Sequence, residues 1–153
     1  MQKFHFRFAT VQKVRRIERD QQSRVLGSAM QELQVIRNQI EQLGQQNEME
    51  LLRVKLETQK GNFFAANSQL SAKFREEIRN QIRRKKKEEE AAMYKVEQER
   101  LKLVEKEKRK KVLDKLEERD REKYQEDLRK FQNQEMDELS SVREFARTFG
   151  DNS

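Results

Sequence analysis

The sequence predicts an all-α fold in which two long helices form an antiparallel coiled-coil hairpin, the second helix longer than the first. Three observations carry that expectation. Only 33% of the 153 residues are hydrophobic and 41% are charged, so there is too little apolar surface for a thick core. Ordering each residue costs about 1–2 kcal/mol of backbone entropy, and a fully buried aliphatic side chain returns roughly 1.5–3 kcal/mol. Such a chain needs local order and a narrow seam, which long helices packed side by side supply. Secondly, there is no proline, and the four glycines stand singly at Gly27, Gly44, Gly61 and Gly150. Disordered chains are usually rich in both, whereas good helix formers (Gln, Glu, Lys, Arg and Leu) dominate here. Thirdly, apolar residues recur at sevenfold spacing, the mark of a coiled-coil seam.

Helix one is predicted over about residues 4–60. Phe4, Val11 and Val25 share a phase in which Glu18 is the missing member. Leu26, Leu33 and Ile40 continue in a shifted phase with Ala29, Ile36 and Leu43, and beyond Gly44 a third phase runs through Met49, Leu56, Phe63 and Leu70, with Leu52 and Ala66 beside it. Offsets of this kind locally unwind or overwind a coiled coil. The turn is placed at about 61–66: Gly61 can end a helix in the left-handed conformation, and Asn62, Asn67 or Ser68 can cap the next. Helix two follows over about 67–148, so the whole chain, 1–153, reads as one elongated coiled-coil domain. At 1.5 Å per residue the helices are roughly 85 and 120 Å long. Folded back, residue i lies level with about residue 127 − i, and the end of helix two overhangs. Phe74, Ile78 and Ile82 open its apolar series, and after an apolar-poor stretch Met93, Val96, Leu103, Leu113 and Leu116 continue it. Tyr124, Leu128 and Phe131 come next, then Leu139, Val142, Ala146 and Phe149. This last stripe lies in the overhang and calls for a second protein or a second copy to cover it.

Charge and composition exclude several classes. The net charge is +7, of which residues 1–30 carry +5. With no cysteine there is neither a disulfide framework nor a thiolate metal site. No run of about 18 apolar residues exists to cross a membrane, and no apolar signal-peptide core is present. The acid-free start, "MQKFHFRFATVQKVRRI", also suits a transit peptide or membrane-surface helix, but equally a helix end that docks on a protein. Catalysis finds no constellation: His5, the one histidine, sits between phenylalanines without a positioned companion, and there is no Gly-rich phosphate loop. No enzyme, metal or cofactor is expected.

The block "IRRKKKEEEA" at residues 82–91 is the obvious candidate for polyanion binding. On a helix, however, Arg84, Lys85 and Lys86 stand four residues before Glu88, Glu89 and Glu90, which predicts a self-neutralising solvent face. A phosphate-binding surface would leave its cations uncompensated and, for single strands, interleave aromatics. A basic helical nucleic-acid-binding protein therefore stands as the alternative of a different class, and no nucleic-acid partner is expected.

The two ends of the chain resemble a known family. The N-terminal "FHFRFATVQKVRRIERDQQSRVL", the C-terminal "QNQEMDELSSVREFAR" and the central "QQNE" at Gln45–Glu48 are similar to the flagellar export protein FliJ, and length and two-helix organisation match throughout. That resemblance implies a non-enzymatic cytoplasmic stalk, similar to the stalk subunit of rotary ATP synthases. It would link the hexameric export ATPase (FliI-like) to the membrane export gate (FlhA-like) and escort unloaded export chaperones. Association with the inner membrane would be peripheral, through those proteins. The equivalent stalk of an injectisome is the nearest variant. On this reading Phe4, Phe8, Val11, Arg15, Leu139, Val142, Ala146 and Phe149 face the ATPase ring. Asn38, Gln42, Gln45, Met49, Leu70, Phe74, Ile78 and Gln81 face the gate. Aromatics expected around "QNE" are replaced here by Gln45 and Met49.

Overall fold

A computed structural model describes residues 2–61 and 65–151. It contains two helices, α1 (Ala9–Gln59) and α2 (Ala65–Gly150), of 51 and 86 residues. They pack against each other antiparallel, and the chain divides into two compact units. One joins residues 1–18 to 106–153 and the other spans Arg19–Glu105.

Cross-helix contacts fix the register inside each unit. In the first, Gln12 reaches Asp114 and Glu117, and Tyr124 reaches Gln2. In the second, Gln22 bonds Glu99, Lys95 pairs with Glu32, and Arg37 pairs with Glu89. All lie close to the pairing of i with 127 − i.

The seam itself differs from the apolar phases of the sequence. On α1, the residues turned to α2 follow one unbroken 3–4 alternation: Gln12, Arg15, Arg19, Gln22, Leu26, Ala29, Leu33, Ile36, Ile40, Leu43, Asn47, Glu50, Val54 and Glu57, all buried or half-buried. Of the earlier phases only the middle one is used. Val11, Val25, Met49, Leu52, Leu56 and Leu70 are exposed, and Phe63 lies outside the described residues. The cause is mechanical: a helix packed along one partner keeps a single 3–4 stripe inward and cannot rotate to follow each apolar residue. The phase that wins captures the dense run from Leu26 to Leu43, and its ends accept amides and charges.

The α2 seam is equally continuous, stepping by fours and threes from Ser71 and Arg75 through Ile78, Ile82, Lys85 and Glu89 to Val96, Leu103 and Tyr124. Phe74 and Met93 fall off it and are half-exposed. Few side chains are well covered: among the described residues Phe6, Ala29, Leu33 and Ile78 are the buried hydrophobics, and Gln12 and Ser71 are the buried polar residues.

Helix boundaries also shift. The first helix starts at Ala9 rather than at about residue 4. In "KFHFRF", Phe4, Phe6 and Phe8 are covered while Lys3, His5 and Arg7 are exposed. That period of two is not helical, because a helix would point Phe6 away from Phe4 and Phe8; Arg7 and Phe8 form a turn in which the Ala9 N–H donates to the Phe6 carbonyl. At the other end Lys60 and Gly61 form the turn, with Gly61 in the left-handed region (φ 79°) and its N–H donating to the Thr58 carbonyl. Because α2 begins at Ala65, Asn67 and Ser68 are helical residues and not caps; Asn62 lies outside the described residues.

Candidate partner-binding surfaces

In the first unit, the N-terminal segment is fastened to α2 by aromatic contacts. Phe4 meets Tyr124 with ring centroids 5.6 Å apart, and the Arg121 guanidinium lies 4.9 Å from the Phe4 centroid. The Tyr124 hydroxyl donates to the Gln2 carbonyl at 2.6 Å. Phe6 is buried and makes an edge contact with Phe8, over which Arg7 stacks. A helical turn further, the buried Gln12 amide donates to Asp114 Oδ1 (2.9 Å) and Glu117 Oε2 (2.7 Å). Those bonds are the main reason both carboxyls titrate below their ordinary range. Arg15 donates to Glu18 at 3.1 Å and lowers its pKa likewise.

Beyond this fastening α2 continues alone. Every residue from 129 to 151 is exposed, including Phe131, Met136, Leu139, Val142, Phe145 and Phe149. A shallow depression is framed by Glu135, Glu138, Leu139 and Val142, and the Phe145 and Phe149 ring centroids lie 4.5 Å apart with the ring planes tilted by 47°. Phe145 was not singled out in the sequence, although its spacing of three from Val142 and four from Phe149 gave the signal.

The eight residues expected at this end all belong to the first unit, but the structure does not gather them into one patch. Phe4, Phe8 and Arg15 are half-buried in internal contacts, and Val11 is exposed. Leu139, Val142, Ala146 and Phe149 form a separate exposed stripe starting 15 residues past Tyr124, about 22 Å along the helix.

In the second unit, Asn38, Gln42, Gln45 and Met49 lie in one row on the exposed face of α1, directly opposite its seam. Gln34 donates to Asn38 at 2.9 Å, and Gln45, Glu48, Met49 and Leu52 frame a shallow hollow. On α2, Leu70, Phe74 and Gln81 are exposed one position off the seam, whereas Ile78 is 3% exposed and packed inside it. Ile78 is therefore not available to a partner while the helices stay paired. Close by, Arg53 grips Glu50 through two nitrogens (2.6 and 3.1 Å) and Glu57 through another, which lowers the Glu50 pKa and raises that of Arg53.

The charged block at 82–91 is only partly a solvent face. Ile82, Lys85 and Glu89 belong to the seam, and the pairing differs from the expected four-residue spacing. Lys85 bonds Glu88 at 3.1 Å, Arg84 reaches back to Glu77, and Glu89 pairs with Arg37 of α1. Lys86 and Lys87 make no ion pair with a described residue. Among the described residues no group of three His, Cys, Asp or Glu side chains could hold a metal ion, and no helix is long and apolar enough to cross a membrane.

Paired helices with exposed apolar stripes define a coiled-coil protein. The chain matches the family described as "Flagellar FliJ protein" over residues 4–148, and it belongs to that family. It is thereby a component of flagellar type III protein export, in a family of non-catalytic export components. No curated protein and no solved structure matches it.

Proposed function

We propose that this chain is the central stalk and coupling component of the export apparatus, standing between the export ATPase ring and the membrane export gate. The observation that carries the reading is the solitary end of α2. A stripe of large apolar side chains projects past the last contact of the N-terminal segment, exposed at 59% for Leu139, 64% for Val142 and 65% for Phe149. Side chains of that size, repeated at helical spacing, are normally covered by a partner.

In this reading the first unit engages a hexameric ATPase through Leu139, Val142, Ala146 and Phe149, with Phe4, Phe8, Val11 and Arg15 shaping the base from which the stripe projects. The second unit presents Asn38, Gln42, Gln45 and Met49, together with Leu70, Phe74 and Gln81, to the gate, and Ile78 holds that patch in place from the seam. Escort of export chaperones and peripheral association with the inner membrane follow from the same placement.

The test is to add the purified chain to its cognate export ATPase and follow hexamer formation and hydrolysis rate. The wild type is expected to raise both. Leu139→Gln, Val142→Gln and Phe149→Gln together, which keep helix propensity, are expected to abolish the rise. A triple variant that stimulates as well as wild type refutes the assignment of this end.

A further inference from the structure

The seam between the helices changes character within the second unit. From Leu26 to Leu43 its α1 side is apolar at every step: Leu26, Ala29, Leu33, Ile36, Ile40 and Leu43. Beyond Gly44, the poorest helix former after proline, it continues through Asn47, Glu50, Val54 and Glu57. The facing residues of α2 are Ser68, Ser71 and Arg75, with Ile78 closing the stretch. Between Gly44 and Ile78 the seam therefore encloses polar side chains around Val54. At the same levels the large apolar side chains stand outside: Met49, Leu52, Leu56, Leu70 and Phe74 are all exposed. The tip of the hairpin is packed inside out.

Such a tip is held together weakly. Helices in proteins draw most of their stability from burying an apolar face, and this stretch buries little of one. Asn47 Oδ1 and Arg75 Nε are buried with no hydrogen-bond partner among the described residues, which disfavours the closed state. The cross-helix ion pairs of this unit, Lys95–Glu32 and Arg37–Glu89, lie on the far side of Gly44. Arg53, inside the tip, holds Glu50 and Glu57 of its own helix and so ties α1 to itself and not to α2.

We infer that the tip, 44–59 with 65–78, opens as one unit while the seam from Leu26 to Leu43 stays closed. Proteins open locally in contiguous units, and stretches with few buried apolar contacts open first; the change at Gly44 sets such a boundary. The residue that opening sets free is Ile78, the buried hydrophobic at the edge of the tip. It stands four residues after Phe74 and eight after Leu70. On α2 these three form one row at steps of four, of which the closed hairpin shows two. A partner that takes Ile78 together with Leu70 and Phe74 holds the tip open, because a ligand shifts an equilibrium toward the state it binds better. The opening itself stands on the seam and not on the gate assignment.

The test is thiol labelling of the full chain, which has no cysteine of its own. Ile78→Cys and Leu33→Cys each place one thiol at a buried seam position, one at the tip and one in the apolar stretch. Each labelling rate is divided by that of the same variant unfolded in urea. The thiol at position 78 is expected to react at least about tenfold faster than that at position 33. Adding Asn47→Leu/Arg75→Leu, which removes both unpartnered atoms and makes the tip seam apolar, is expected to slow labelling at 78 and leave that at 33 unchanged. Amide hydrogen exchange on the unsubstituted chain is the second measurement, with residues 45–59 and 65–78 expected to exchange ahead of 26–43. Labelling at 78 no faster than at 33, or amide exchange at one rate across these segments, overturns the inference, since the hairpin then opens as a whole. Labelling at 78 that Asn47→Leu/Arg75→Leu leaves unchanged also overturns it, because the polar seam is then not the cause.

Discussion

Phe74 and Ile78 stand one helical turn apart and are both large and apolar, yet the first is 49% exposed and the second 3%. The difference is one position of seam phase, and it sets what each contributes. Ile78→Ala removes a covered side chain from a seam with few others, and is expected to cost about 2–3 kcal/mol in a urea titration. Phe74→Ala should stay within about 0.5 kcal/mol, as for exposed positions generally. Equal costs for the two would contradict the seam phase described here. A polar seam residue is tested through charge. Gln12 is the largest cause of the lowered pKa of both Asp114 and Glu117. Gln12→Ala should therefore move both carboxyls up toward their ordinary values in an NMR pH titration, while Glu97, held low by Arg100, stays where it is.

At the level of elements, the turn was legible because it depends on one residue acting locally. Gly61 adopts the positive φ expected of a helix-ending glycine, and a Cβ there would meet nothing within 4 Å. Gly61→Ala is thus expected to cost about 1 kcal/mol from backbone conformation alone, read as a shift in the urea midpoint at unchanged slope. A loss several times larger would mean that the turn is held by packing. Two helices, their antiparallel course and their register were legible for a related reason: composition, breakers and chain length constrain them directly. Seam phase was not, because apolar residues vote for it locally while the partner helix settles it globally. Val11, Val25 and Met49 voted and lost; Gln12, Arg15 and Asn47 were carried inward by the helix they belong to. The start of α1 was legible in principle, since Phe4, Phe6 and Phe8 alternate at period two, but helix-forming neighbours masked the signal. Of the candidate surfaces, the exposed α2 end could be read from register arithmetic, whereas Phe145 and the burial of Ile78 needed the three-dimensional phase.

For the whole molecule, the lowered carboxyls determine how stability responds to acid. Glu18, Glu50, Glu97, Glu99, Asp114 and Glu117 all titrate below their ordinary values, in each case chiefly through a hydrogen bond from Arg15, Arg53, Arg100, Gln22, Gln12 and Gln12 respectively. A folded pKa below the unfolded one stabilises the fold fully above the unfolded value, near 3.9 for Asp and 4.3 for Glu. That contribution is lost as pH falls through the lowered folded value. Each site is largely solvated, so each contribution is small, but all six act in the same direction. Protonation also adds positive charge to a chain already at +7, and self-repulsion rises with it. The urea midpoint should therefore be flat from about pH 7 to about pH 5 and fall steeply below about pH 4. Gln12→Ala should shorten that acid fall, because two of the six carboxyls would then titrate closer to their unfolded values. A wild-type midpoint unchanged down to about pH 3 would mean that these bonds do not distinguish the folded chain from the unfolded one.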